Sequence, residues 1–207
     1  MNVAIINYGM GNLGSVRRAL EMLGCNALIA EHPLILYEAD RIILPGVGSF
    51  KEAMVSLQEG GWVEALEHHV EKERKALLGI CLGMQLLADS GEEGGITQGL
   101  GYIPGNVRQL DKIGCGLRIP HIGWNDIQFK EDCQLFSKIP QGSDFYFAHS
   151  YAFVATNNED VIATTCYGSN VVAAVSRVNV FGCQFHPEKS SKAGFQLLKN
   201  FVGYLPC

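Results

Sequence analysis

The stretch that most restricts how this chain can fold is Gly79-Ile80-Cys81-Leu82-Gly83-Met84-Gln85. A short apolar run, Ala76-Leu77-Leu78, precedes it, and a helical pattern, Leu86-Leu87-Ala88, follows. The order predicts strand, sharp turn, helix. Glycines two residues before and two after the cysteine let the backbone fold tightly around a side chain that stands clear of the sheet, the geometry of a nucleophile elbow. A helix N-terminus beside the sulfur favours the thiolate, which is the reactive form. A packing cysteine in an ordinary strand-to-helix turn fits the same residues, because free Cys is among the most buried residue types. A base elsewhere in the chain has to decide between them.

Composition narrows the classes. The 207 residues suit one domain, 1–207, and 47% hydrophobic content supports a sizeable core. A net charge of -5 and no basic stripe argue against nucleic-acid binding. No run approaches the ~20 apolar residues of a membrane span, and Met1-Asn2-Val3-Ala4-Ile5 enters a strand without a basic leader, so a cytoplasmic protein is expected. The seven cysteines are irregularly spaced and include no C-x-x-C pair, so they suggest no metal knuckle or redox motif. Cys25, Cys166 and Cys183 read as packing residues and terminal Cys207 as chemically inert.

Read in order, 3–6 is a continuous apolar strand, 16–23 a helix closed by Gly24, and 27–30 and 41–44 further strands. A long helix spans about 50–75, with a possible break at Gly60-Gly61. Strands alternating with helices predict an α/β fold: a three-layer, open, mostly parallel sheet with helices on both faces. Beyond Ser90 the runs become short and turn-punctuated. Residues 106–110, 117–119, 125–129, 145–147 and 171–177 predict antiparallel strands added in the C-terminal half, with a short helix at 132–137 and an amphipathic helix at 192–204 capped by Ser190-Ser191. Gly9, Gly11 and Gly14 spell G-x-G-x-x-G between a strand and a helix, with Glu31 after the next strand. That is the pattern of a dinucleotide site, so a nucleotide-binding oxidoreductase stands as a rival reading, although tight strand-to-helix turns need glycines in any case.

The base is offered at Phe181-Gly182-Cys183-Gln184-Phe185-His186-Pro187-Glu188-Lys189. Pro187 biases His186 toward an extended backbone, in which positions 186 and 188 point to the same side. Glu188 can then hold one ring nitrogen while the other faces Cys81, a nucleophile, base and orienter set that needs no metal or cofactor. Singly, His186 and Glu188 read as a loop histidine and a solvated charge; together with an elbow cysteine they read as a site. His149 ranks below His186 as a base because no carboxylate follows two residues on, His121 ranks lower still, and His68-His69 read as exposed on the long helix.

Gly79 to Gln85 and Phe185-His186-Pro187-Glu188 together resemble the paired motifs of the class I, triad-type glutamine amidotransferases. Asn7-Tyr8-Gly9-Met10-Gly11-Asn12-Leu13, Leu44-Pro45-Gly46-Val47-Gly48, His121-Ile122-Gly123-Trp124-Asn125 and His149-Ser150-Tyr151 extend the resemblance to the glutaminase subunits of imidazole glycerol phosphate synthase, spread over residues 3–201. The resemblance implies hydrolysis of the glutamine side-chain amide through a thioester on Cys81, with His186 as acid and base and Glu188 as its orienter. It implies an oxyanion hole from Val47, Gly48 and Leu82, and substrate contacts from Gly46, Gln85, Ser150 and Tyr151. The ammonia would pass to a (β/α)₈-barrel cyclase partner in histidine biosynthesis. Asn12, Trp124, Tyr146 and Lys189 are the candidates for that interface. Glycines 46 and 48 further suggest an oxyanion peptide whose conformation the partner sets. A glutaminase serving another synthase, a thiol peptidase or γ-glutamyl hydrolase, and a non-catalytic subunit remain as alternatives.

Overall fold

The computed structural model describes residues 1–204, so Cys207 lies outside the described residues. The strands are β1 Asn2–Ile6, β2 Asn26–Ala30, β3 Arg41–Leu44, β4 Ala76–Ile80, β5 Ser90–Gly91, β6 Thr97–Gln98, β7 Gly105–Gln109, β8 His121–Asp126, β9 Gln128–Phe129, β10 Asp144–His149, β11 Tyr151–Ala155, β12 Val161–Cys166, β13 Asn170–Arg177 and β14 Val180–Cys183. The α-helices are α1 Leu13–Met22, α2 Phe50–Glu59, α3 Trp62–Leu66, α4 Leu82–Gln85 and α5 Ser191–Val202.

The main sheet has the order β2-β1-β3-β4-β14-β13-β12-β9. Its first five strands run parallel and the last three join antiparallel. β1 shows why this sheet is covered twice. Val3 and Ile5 enter one apolar core with Val16 and Leu20 of α1 and Leu197, Leu198 and Phe201 of α5. Ala4 and Ile6 enter the opposite core with residues of α2 and α3. A continuous apolar strand with fully buried side chains on both faces is what a parallel sheet between helix layers requires. Each large side chain buried this way contributes ~1.5–3 kcal/mol. The three-layer α/β expectation is therefore borne out. Two smaller sheets, β10-β8 and β11-β7-β5-β6, stand beside the main one.

Several local expectations need correcting. The 50–75 helix breaks where expected, at Gly60 and Gly61, the latter with φ 68°, but its last part is a π-helical turn, Glu67–Lys72. Residues 117–119 form no strand, because three residues between Gly116 and Pro120 are too few and Pro120 cannot donate to a ladder; pairing starts at His121. The 132–137 helix is a single 3₁₀ turn, Gln134–Phe136. β11 and β12 had no clear signal in the sequence and are present. Cys166 is exposed rather than packed, and His69 is buried rather than exposed. Ser190 does not cap α5 with its side chain; its hydroxyl donates to the His186 carbonyl at 2.6 Å and accepts from the Tyr146 N–H at 3.0 Å.

Candidate active site

Cys81 sits directly after β4 with φ 55° and ψ -109°. Left-handed backbone in a non-glycine residue costs on the order of 1–3 kcal/mol and survives only where its surroundings impose it. Here they do. The Cys81 N–H donates to the Cys183 carbonyl at 2.8 Å, and the Cys81 carbonyl accepts from the Gln85 N–H at 3.2 Å. The flanking glycines are required by space: a Cβ on Gly79 would lie 2.5 Å from the Gly83 carbonyl oxygen, and one on Gly83 would lie 1.8 Å from the Leu44 oxygen. The expected helix after the turn is shorter than its pattern. α4 ends at Gln85, and Leu87 and Ala88 close tighter turns on the Met84 and Gln85 carbonyls. A four-residue helix has a weak macrodipole, so the charge beside the sulfur has to come from a side chain.

That side chain is His186. β14 lies parallel to β4 with Cys183 opposite Ile80. The chain continues past the strand end, where the His186 N–H donates to the Tyr146 carbonyl at 2.8 Å. Glu188 does not reach the ring along an extended strand. A 3₁₀ turn, Pro187–Lys189, folds it back so that His186 Nδ1 and Glu188 Oε1 are 2.8 Å apart, with both side chains buried. A carboxylate accepts, so Nδ1 carries the proton and Nε2 is left for Cys81. Burial alone would push the His186 pKa down, but hydrogen bonds with Cys81 and Glu188 outweigh it and raise the value to about 9. The imidazolium is thus the favoured form at neutral pH.

A cleft of about 240 Å³ opens over the sulfur, lined by Val47, Gly48, Cys81, Leu82, Gln85, Ser150 and Tyr151. These include each predicted oxyanion and substrate residue except Gly46, which lies beneath. A Cβ on Gly46 would meet the Tyr8 hydroxyl at 2.6 Å, Leu82 Cβ at 2.9 Å and the Gly83 nitrogen at 3.0 Å. The loop that spells G-x-G-x-x-G has a use in this arrangement. The Tyr8 hydroxyl donates to the Pro45 carbonyl at 3.0 Å, and a Cβ on Gly48, whose φ is 106°, would lie 2.6 Å from Met10 Cε. Burial pushes the Tyr8 phenol pKa up, with the Cys81 charge adding to the effect, so the hydroxyl remains a donor. Met10 and Tyr8 therefore brace the 45–48 segment from below.

Several lining or supporting groups escaped the sequence reading. Glu93 lines the cleft and accepts from the Phe50 N–H at 2.8 Å. Gln184, fully buried, points its Nε2 at the Cys81 sulfur at 3.8 Å and its Oε1 at Gln85 Nε2 at 3.1 Å. Its signal was a polar residue two positions before His186 in an apolar strand. Gln85 Nε2 also donates to the Tyr151 carbonyl at 2.9 Å.

That carbonyl ends a second chain. His149 Nδ1 is 2.8 Å from the Tyr151 oxygen, His121 Nδ1 is 3.0 Å from His149 Nε2, and Asn125 Nδ2 is 3.3 Å from His121 Nε2. A carbonyl only accepts, so His149 donates through Nδ1. If His149 is neutral, its Nε2 accepts, and His121 donates through Nδ1 in turn. Burial depresses both pKa values, to about 3 for His149 and about 4 for His121, which keeps both rings neutral. His121 is stacked between Phe147 and Tyr167, with ring centroids 4.7 and 3.9 Å away.

Of the residues expected at a partner face, three form one patch. Trp124 and Tyr146 are a cross-strand pair of β8 and β10 with ring centroids 6.1 Å apart, and Lys189 Nζ lies 5.7 Å from the Tyr146 ring centre. The Tyr146 ring is in turn 6.5 Å from His186. Trp124 is 53% exposed, and Ile122 on the same strand is 62% exposed. Asn12 is exposed immediately before α1.

The family model described as Glutamine amidotransferase class-I matches residues 4–203. The imidazole glycerol phosphate synthase subunit HisH 1 of Campylobacter jejuni strain RM1221 is 46% identical over 200 residues, covering 97% of this chain and 98% of that protein. Subunit HisH of Moorella thermoacetica is 48% identical over 199 residues, covering 96% and 93%. Among solved structures, a glutamine amidotransferase superposes with TM-score 0.76 at 20% identity, covering 97% of each chain. A chain of PurLQS from Thermotoga maritima superposes with TM-score 0.73 at 20% identity, covering 98% of each chain, a likeness of fold. From residue 4 to residue 203 the chain belongs to the class I glutamine amidotransferases, and within them to the HisH subunits of imidazole glycerol phosphate synthase.

Proposed function

We propose that this chain hydrolyses the side-chain amide of glutamine, with Cys81 as nucleophile, His186 as acid and base and Glu188 as orienter, and hands the ammonia to a (β/α)₈-barrel cyclase subunit. The observation that carries the reading is the meeting of an elbow cysteine and a carboxylate-held imidazole at the ends of adjacent parallel strands, under a cleft sized for a small amino acid. The Cys81 thiolate attacks the amide carbon, and negative charge moves to the oxygen. Collapse expels the nitrogen, which takes the proton of the His186 imidazolium and leaves as ammonia. Neutral His186 then takes a proton from water, the hydroxide attacks the thioester, and glutamate leaves as thiolate and imidazolium are restored. Donors for the oxyanion come from the backbone of Leu82, whose N–H is at the open first turn of α4, and from the Val47-Gly48 segment.

Gln85, Ser150 and Tyr151 hold the amino-acid end of the substrate, and Glu93 supplies a counter-charge for its α-ammonium group. Gly46 permits the close approach of the 45–48 segment to α4. The partner docks over Trp124, Tyr146 and Lys189, with Asn12 at the margin, because that patch adjoins His186, where ammonia leaves. Six free cysteines among the described residues suit a reducing cytoplasm, and no helix among them is long and apolar enough to cross a membrane.

The test is a glutaminase assay with and without the barrel subunit and its nucleotide. Wild type should turn over glutamine faster in the complex, and Cys81→Ala should abolish turnover while retaining the complex. Equal turnover in Cys81→Ala would remove the nucleophile assignment. Full activity of the isolated chain, unchanged by partner and nucleotide, would remove the idea that the partner sets the oxyanion peptide.

A further inference from the structure

A second cluster of chemistry-bearing side chains lies at the opposite end of β4 from Cys81. The π-helical turn Glu67–Lys72 leads toward this strand. In an α-helix, adjacent side chains diverge by about 100°. The wider turn changes that: it lets partners four and five residues away converge on one carboxylate. His68 Nε2 lies 3.1 Å from Glu73 Oε1, and His69 Nδ1 lies 2.8 Å from Glu73 Oε2. The two imidazole rings are 5.0 Å apart and nearly perpendicular, at 88°. His69 is buried, with its ring 4.5 Å from the ring of Tyr37, whereas His68 is half-exposed. One donor is thus fixed in place and one is open to solvent.

We propose that His68, His69 and Glu73 form a divalent transition-metal site, with Zn²⁺ the best-suited ion. One donor atom from each residue lies within 4.8 Å of the others. Ligands sharing a tetrahedral zinc are about 3.3 Å apart, given metal–ligand bonds of ~2.0–2.2 Å; each histidine already contacts its own Glu73 oxygen, at 3.1 and 2.8 Å, so the carboxylate would bind through both oxygens or swing toward one, and the widest pair of donor atoms, within 4.8 Å, would close by up to about 1.5 Å. Two imidazoles and a carboxylate form a donor set that zinc accepts with one position left for water. Lys75 sets the limit on affinity. Its ammonium is 3.2 Å from Glu73 Oε2 and also donates to the Leu36 carbonyl at 2.7 Å, so it anchors the carboxylate while repelling a cation. The ion would clip the π turn at the amino end of the strand that bears Cys81 at its carboxyl end, about 17 Å of strand away. Its effect belongs to stability rather than to turnover.

The experiment uses the full chain, stripped with a chelator, and titrates Zn²⁺ by calorimetry and Co²⁺ by absorption. A Cys81→Ser background removes binding by the active-site thiolate. One equivalent should bind, the Co²⁺ spectrum should lack a thiolate charge-transfer band, and the metal should raise Tm. His68→Ala, at a half-exposed position, and Glu73→Gln should each weaken binding at least tenfold and cancel the Tm rise. Lys75→Gln should tighten binding. Absence of saturable binding in the Cys81→Ser protein, or affinity unchanged in both His68→Ala and Glu73→Gln, would overturn the proposal.

Discussion

At the scale of single residues, the site depends on which nitrogens hold protons. His186 and the His121–His149 pair are tuned in opposite directions. His186 has a folded-state pKa near 9, above the ordinary 6.5, so it contributes stability that is complete below about pH 6.5 and lost as pH rises through about 9. His149 and His121 have folded-state values near 3 and 4, below 6.5, so as pH falls below 6.5 the unfolded chain takes up protons that the folded chain refuses, and stability declines. Denaturant unfolding across pH 4.5–9 should therefore show a maximum near pH 6.5. Replacing His186 by Gln should flatten the alkaline side, and an unaltered alkaline slope would contradict the raised value. The neutral pair also predicts function. His149→Ala removes one of the two donors to the Tyr151 carbonyl and leaves Gln85 to hold it alone, a loss of ~0.5–1.5 kcal/mol for the missing hydrogen bond. KM for glutamine should rise about tenfold with a smaller change in kcat, and nitrogen chemical shifts should report the Nδ1–H tautomer for both rings in the wild type. Cys81, His186 and Glu188 were legible in the sequence because each sits in a short local motif. Gln184 and the histidine pair were not, because their contacts are made between strands: Gln184 meets Cys81 across 103 residues of sequence and His121 meets His149 across 28.

At the scale of elements, the parallel half could be read directly and the rest could not. Residues 3–6 of β1, 42–44 of β3 and 76–80 of β4 are unbroken apolar runs, since both faces are buried, and such runs are hard to mistake. The C-terminal strands are short, half-buried and interrupted, and a three-residue run such as 117–119 reads the same whether or not it pairs. The route from His186 to Glu188 was misjudged for a related reason: Pro187 favours extended backbone before it, but it is also well suited to begin a 3₁₀ turn, and packing chose the turn. The elbow is where an element is least forgiving. Gly83→Ala puts a methyl group 1.8 Å from the Leu44 carbonyl oxygen. The neighbouring strand is backbone and cannot move aside, so the loss should reach or exceed the upper end of the ~1–3 kcal/mol typical of overpacking. Chemical denaturation would measure it, and a wild-type midpoint would show that β3 and α4 can separate without cost.

At the scale of the whole molecule, the exposed aromatic patch and the reaction cleft share β8 and β10. Trp124 pairs across the strands with Tyr146, and the same two strands carry His121 and His149 at their other ends. A partner seated on the patch therefore presses on the strands that hold the cleft wall. Exposed Trp and Tyr are common anchors of interfaces, and truncating one costs ~2 kcal/mol or more. Trp124→Ala should weaken the complex with the barrel subunit about 30-fold, as read by calorimetry or by co-migration, and an unchanged dissociation constant would take Trp124 out of the interface.

β14 is the last of the parallel strands in chain order. The sulfur leaves the ribosome joined to the strands that precede it, whereas the imidazole arrives more than a hundred residues later, just past the strand that slots in beside β4. On the proposed mechanism, a chain that ends before β14 has no base beside Cys81. Nitrogen release would then wait on the last parallel strand to be synthesised.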